Sequence, residues 1–311
     1  MRTISSKQLF PMFLRGLVSV LKGKVFSLFS FRRRVLRRRA SIAGLVLALV
    51  VGLGVATTGP ASAVEPIRLG PMVVGGTELQ FPSGTCTAGL VMVNTRWWNN
   101  ITAYQRNTRY VLTAGHCGNE GDRVSLNGQR IGSVYWKNQK PDMMVVQVKP
   151  TVTSTPHCTQ DRSGFHCILI YHSAPRASGR VITYVPRLRE FGTVPVAIWW
   201  DGAPERSFNA CVSGAISSFS CGWRNYTLPH DAPAIPGQRA MLGTTVVAAE
   251  GDSGAPVFSN PTDDPNAGVT VYGIVLGGFR PPISRNAMRY LTAGVFFTEW
   301  EWSQAYALAP A

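Results

Sequence analysis

Beyond residue 63 the chain is a succession of short apolar, β-prone runs divided by Gly, Pro, Asn and Asp. The runs lie at residues 89–93, 110–113, 143–148, 180–185, 194–199, 244–248, 269–276 and 293–297. Apolar residues three and four apart are almost never sustained, so helices are not predicted along most of the chain. Only residues 299–308 read as a short helix. Many short strands set off by turn residues predict an all-β barrel or sandwich. The 21 Pro and 31 Gly suit such a fold, and no repeat or low-complexity tract interrupts it.

The first 63 residues follow a different pattern. Two arginine triplets, at 32–34 and 37–39, precede an apolar run over 42–55. Pro60 and the small residues Ala61-Ser62-Ala63 come next. A cationic stretch, an apolar segment and a small-residue cleavage site together predict a signal peptide over 1–63 with a long basic start. Arg32-Arg33-Arg34-Val35-Leu36 also weakly resembles a twin-arginine signal. A retained anchor is the competing reading, although the apolar run is short against the ~20 residues of a membrane span. The expected location is extracellular, or the cell envelope if the segment stays attached. After cleavage no stable membrane partner is expected.

This segment also accounts for the charge. The net +15 suggests a nucleic-acid partner, but eleven of the 31 Lys and Arg lie within residues 1–40, which hold no Asp or Glu. The rest carries 20 basic against 16 acidic residues. That balance predicts no nucleic-acid groove. All six cysteines follow residue 63, where export would permit disulfides. No C-x-x-C pair or suitably spaced His accompanies them, so neither a metal nor another cofactor is expected.

Three features carry chemistry. In order they are Leu112-Thr113-Ala114-Gly115-His116-Cys117, then Asp142 opening the apolar run 143–146, then Gly251-Asp252-Ser253-Gly254-Ala255-Pro256. A serine hydroxyl is a weak nucleophile and needs a neighbouring base to take its proton. Histidine suits that task near neutral pH, and a carboxylate behind it fixes the ring's tautomer. The T-A-G-H-C and G-D-S-G-x-P motifs, in the order His, Asp, Ser, resemble those of the chymotrypsin-like serine proteases. The resemblance covers most of 73–300 and points to the bacterial streptogrisin group.

The resemblance implies a fold of two antiparallel six-stranded β-barrels with the active site between them. Its expected divisions are a propeptide or N-terminal extension at 64–72, a first barrel at 73–165, a second at 166–302 and a tail at 303–311. It casts Ser253 as nucleophile, His116 as base then acid, and Asp142 as orienter. The backbone N–H groups of Gly251 and Ser253 would form the oxyanion hole. The other histidines, His157, His166, His172 and His230, read as surface residues. Six cysteines allow fifteen pairings; the resemblance implies Cys86–Cys117 and Cys211–Cys221, which leaves Cys158 with Cys167. The run Val73-Val74-Gly75-Gly76 looks like the start of a mature protease, with a zymogen form before it.

Substrate is expected along Gly273 to Gly278, contacting Leu276, Gly277 and Gly278, with Val247 and Ala248 in the specificity pocket. No Asp lies in 246–250, and neither Val275 nor Ala248 is a His or Ser. An apolar or small residue is therefore expected before the cleaved bond. Leu276 stands where most members have a serine that supports the triad aspartate. The expected function is a monomeric endopeptidase acting on protein or peptide. The alternative is a weakly active or inactive binding protein on the same fold.

Overall fold

The computed structural model describes residues 64–311, apart from 201, 203, 205–208, 231, 233–234, 245–246, 263, 265, 280–285 and 299–304. The expected signal segment, 1–63, lies outside the described residues, as does Val246.

The early strands are β1 (Val73–Gly75), β2 (Glu78–Phe81), β3 (Gly84–Thr87), β4 (Val91–Asn94), β5 (Arg109–Ala114), β6 (Arg123–Leu126), β7 (Gln129–Asn138) and β8 (Met143–Val148). A hairpin of β9 (Thr151–Asp161) and β10 (Gly164–Ala174) follows. The later strands are β11 (Ala177–Val185), β12 (Glu190–Trp199), β13 (Ala210–Gly214), β14 (Ser218–Tyr226), β15 (Gln238–Leu242), β16 (Pro256–Ser259), β17 (Val269–Gly278), β18 (Ala287–Thr292) and β19 (Tyr306–Leu308). Two short helices are α1 (Ala103–Asn107) and α2 (Ala293–Thr298).

One sheet runs β19-β4-β5-β8-β7-β6-β2-β3. At its centre β5 is buried along its whole length, and Met143 to Val146 of β8 are fully buried. Strands covered on both faces carry continuous apolar runs, which is why 143–148 reads so clearly in the sequence. The second sheet closes on itself through β17-β16-β13-β14-β15-β18 and back to β17, giving a six-stranded barrel. Trp223, Met241, Val257, Val275, Met288 and Tyr290 belong to one buried cluster of this barrel. A larger cluster joins the two sheets, with Leu112 and Met143 of the first and Phe258, Ile274 and Leu276 of the second.

Several expectations are corrected. Residues 293–297 form helix α2 and not a strand: their apolar run is short enough to suit either, and packing of Phe296 and Phe297 decides it. The helix expected at 299–308 is absent from 306–308, which instead pairs as β19 with β4, carrying the chain end back to the first sheet. Thr244 and residues 247–248 are not strand. Strand β1, grouped in sequence with the first barrel, pairs in parallel with β11 of the second sheet. The division expected at 165/166 falls inside the β9–β10 hairpin.

That hairpin packs little on the rest of the fold. Cys158 and Cys167 face each other across it and are disulfide-bonded, with Cα atoms 4.1 Å apart. Phe165, Ile168, Leu169 and Tyr171 are exposed. Asn107 at the end of α1 donates to the Ser173 carbonyl at its base, 2.7 Å.

One buried tyrosine has a measurable consequence. Tyr290 is fully buried and its hydroxyl has no hydrogen-bond partner among the described residues. Burial holds its ionisation well above the usual phenol range, with Arg239 pulling weakly the other way. Above pH ~10 an unfolded tyrosine loses its proton while this one keeps it, so the unfolded state binds fewer protons and stability falls as pH rises. Tyr290→Phe should flatten that fall. It should also raise stability at neutral pH by about 1 kcal/mol, since a buried unpartnered hydroxyl costs about 1–3 kcal/mol. Denaturant melts at pH 7 and pH 11 check both effects.

Candidate active site

The pairing of β5 with β8 sets the first two site residues. Ala114 lies opposite Met143 in the ladder. His116, just after β5, and Asp142, just before β8, therefore emerge at the same end of the sheet. Gly115 lets them approach: a Cβ there would sit 2.7 Å from Asp142 Oδ1 and 2.7 Å from the Met143 nitrogen. Cys117 ties this turn to β3 through the Cys86–Cys117 disulfide.

Ser253 reaches the same place from the second sheet. Thr87 at the end of β3 donates its N–H to the Ser253 carbonyl and its hydroxyl to the Gly251 carbonyl, each at 2.8 Å. Thr113 in turn donates its hydroxyl to the Thr87 carbonyl, 2.8 Å. Neither threonine was singled out above. Thr113 sits inside a visible motif, but Thr87 holds the serine turn through contacts more than 160 residues away in sequence. Gly254 is required where these elements meet, since a Cβ would come within 2.0 Å of Thr113 Oγ1.

The result is a linear array. His116 Nε2 lies 2.8 Å from Ser253 Oγ, and His116 Nδ1 lies 2.7 Å from Asp142 Oδ2. A carboxylate can only accept, so Nδ1 carries the proton and donates it. Nε2 is then free to accept from the serine hydroxyl. The imidazole is 46% exposed and Asp142 25%, so the base faces the cleft while its carboxylate sits further in.

The turn after Glu250 supplies the complement. Asp252, Gly254 and Ala255 spend their N–H groups on the carbonyls of Ala249, Val275 and Asp252. The N–H groups of Gly251 and Ser253 have no acceptor among the described residues. Gly251 has φ +98°, and a Cβ would sit 2.6 Å from Ile216. Two free N–H groups flanking one hydroxyl can stabilise an oxygen anion formed there.

Of the expected substrate contacts, Leu276 is buried at 4% and Val247 is 46% exposed. Gly278 and Ala248 adjoin each other, the Ala248 carbonyl lying 3.9 Å from a Cβ placed on Gly278. A cleft of about 310 Å³ is lined by residues 83–86, His116, Cys117, Glu250, Gly251 and Ser253. His157, His166, His172 and His230 are all exposed. Cys211–Cys221 is the third disulfide. The His, Cys and acidic groups that lie close enough together to share a metal, among the described residues, are Cys86, His116 and Cys117. Both sulfurs are in the disulfide, which leaves no thiolate to ligate.

No family model matches the chain, and no curated protein matches it. Solved structures do. A Nocardiopsis protease is similar with TM-score 0.49 and 18% identity, over 76% of this chain and 98% of its own. An alpha-lytic protease homologue, N4, gives 0.46 and 15%, over 74% and 97%. A glutamic-acid-specific serine protease, described as using a histidine triad in substrate binding, gives 0.48 and 17%, over 74% and 98%. The strand pairings themselves give one closed six-stranded barrel and one eight-stranded sheet. What the site does is read from its own atoms.

Proposed function

We propose that this chain is a secreted serine endopeptidase. The observation that carries the reading is the Asp142–His116–Ser253 array with its two hydrogen bonds, beside two unspent backbone donors. Ser253 Oγ attacks the peptide carbonyl carbon as His116 Nε2 takes its proton. The carbonyl oxygen becomes an anion held by the N–H groups of Gly251 and Ser253. Asp142 stabilises the imidazolium that forms. His116 then protonates the departing amine, leaving an acyl group on Ser253. Water, deprotonated by the same nitrogen, attacks the ester and frees the enzyme. Three disulfides suit an oxidising compartment, in keeping with export. Among the described residues no helix is long and apolar enough to cross a membrane.

The substrate chain is proposed to lie along the end of β17, by strand addition. The residue before the cut would enter beside Val247 and Ala248. Neither side chain is charged, so an apolar or small residue is the expected partner. A panel of chromogenic peptides differing at that residue tests this; fastest cleavage after Arg or Glu would refute it.

Leu276 favours a second reading, a binding protein with a silent site, since its buried side chain offers no hydroxyl to support Asp142. A fluorophosphonate probe separates the two. The endopeptidase reading expects stoichiometric labelling at Ser253, abolished in Ser253→Ala. Folded protein that stays unlabelled would favour the binding protein.

A further inference from the structure

We infer that Arg68 is a positioning residue for the oxyanion turn, and that residues 64–72 remain in the working enzyme instead of being removed as a propeptide. The inference rests on the endopeptidase reading for its kinetic consequences only.

Arg68 lies in the 3₁₀ turn Pro66–Leu69 and its side chain is completely buried. Its Nε donates to the Glu65 carboxylate. Its Nη1 donates to the Gly76 carbonyl at 2.8 Å and to Ser213 Oγ at 3.0 Å. The Phe191 ring lies 5.9 Å from the guanidinium carbon. A fully buried arginine persists only where its surroundings are built for it. Gly76 is part of that construction: it has φ +94°, and a Cβ there would sit 2.5 Å from Ser213 Oγ and 3.1 Å from Arg68 Nη1. The second glycine of the Val73-Val74-Gly75-Gly76 run is thereby explained as space for the guanidinium.

Ser213, itself fully buried, is the next link. It lies near the end of β13, and the turn that follows holds Asp252. Ile216 and Ser217 donate their N–H groups to Asp252 Oδ1 at 3.0 and 2.9 Å. Ala249 donates to Oδ2 at 2.7 Å. Asp252 is fully buried and sits between Gly251 and Ser253, whose N–H groups are the two free donors. Arg68 thus fixes the strand end whose turn fixes the carboxylate between those donors.

The same contacts argue against maturation at Val73. Val73 is fully buried and its N–H donates to the Arg176 carbonyl, 2.8 Å. A cut before it would bury a new ammonium at that point. Asp252, the buried carboxylate of the oxyanion turn, already accepts from three backbone N–H groups. The turn therefore needs no new terminus to complete it. The cut would also release Arg68 and leave Ser213 without its donor.

The test uses the full chain, exported and purified. N-terminal sequencing should find a first residue no later than Val64, and this arm is independent of activity. A variant with a site for a specific protease placed in 69–72 should hydrolyse peptide before that protease is added and lose activity after cutting. Arg68→Ala should lower kcat about tenfold with KM little changed, as coupling of this kind does. Arg68→Lys should recover part of the loss. Ser213→Ala, which removes one acceptor and little volume, keeps the test open if Arg68→Ala does not fold; a lower kcat at unchanged melting temperature is expected. A fully active enzyme beginning at Val73, or a rise in activity on cutting, would overturn the inference. A chain that retains 64–72 yet never reacts with fluorophosphonate would instead defeat the endopeptidase reading.

Discussion

Ser253→Ala is expected to lower kcat by about a millionfold, the loss that follows when the nucleophile of such an array is removed. His116→Ala should cost about as much, because the two groups perform one step. The hydroxyl is not a useful nucleophile unless Nε2, 2.8 Å away, accepts its proton. The double variant should therefore be no worse than either single one. Additive losses would mean that the two residues act independently, and the acyl-enzyme scheme would fall. Residual hydrolysis should survive in all three, since the N–H groups of Gly251 and Ser253 still polarise a bound carbonyl. Folding should be little affected: among the described residues Ser253 Oγ bonds to His116 alone, and the histidine is half exposed. Active-site titration with a burst substrate, beside a thermal melt of each variant, gives both readouts.

Asp142→Asn should be the next largest effect, a fall in kcat of about 10⁴. The change keeps the shape but replaces an acceptor-only oxygen pair with an amide. The amide can donate to Nδ1, which moves the imidazole proton to Nε2 and points it at the serine. Nε2 then has no lone pair for the hydroxyl. Gly115 makes the geometry unforgiving, because Asp142 is packed against its backbone and cannot swing aside. A loss below about tenfold would show that Asp142 is not the group that sets the tautomer. Leu276→Ser in the otherwise wild-type chain is informative too, since it places a hydroxyl where the sequence comparison expects one to support Asp142. A rise in kcat on that change would show that the site works below capacity for want of that hydroxyl.

The candidate array was legible because residues of its motifs answer to contacts at short range. Thr113, Gly115 and Cys117 are what they are because of a hydrogen bond, a close approach and a disulfide around His116. The central strands were legible because β5 and β8 are buried on both faces. The rest depended on partners far away in sequence. Strand β9 carries Thr, Ser and a Pro156 where an alternating apolar face would announce a strand, and the apolar run Ile168 to Tyr171 of β10 stays exposed because the hairpin has no core to face. Helix α2 has too few residues for its period to show. Tyr306 to Leu308 become a strand only because β4 offers an open edge. Arg68 is the hardest case: a charged residue defaults to the surface in any sequence reading, and only the space beside Gly76 shows otherwise.

On the proposed endopeptidase reading the chain would leave the cell in the company of its own copies, and the β9–β10 hairpin is an exposed stretch they could grasp. Near its tip it offers Phe165 to any neighbour whose pocket takes apolar residues. The bond between Cys158 and Cys167 decides what such a bite would do. A break anywhere in 159–166 leaves both new ends tied to one another, so the molecule is scarred and not divided. Self-digestion at this site would pass unseen on a gel run without reductant and appear as two bands with it. Wear at the tip would thus be kept from becoming loss of the enzyme, for as long as the surroundings stay oxidising.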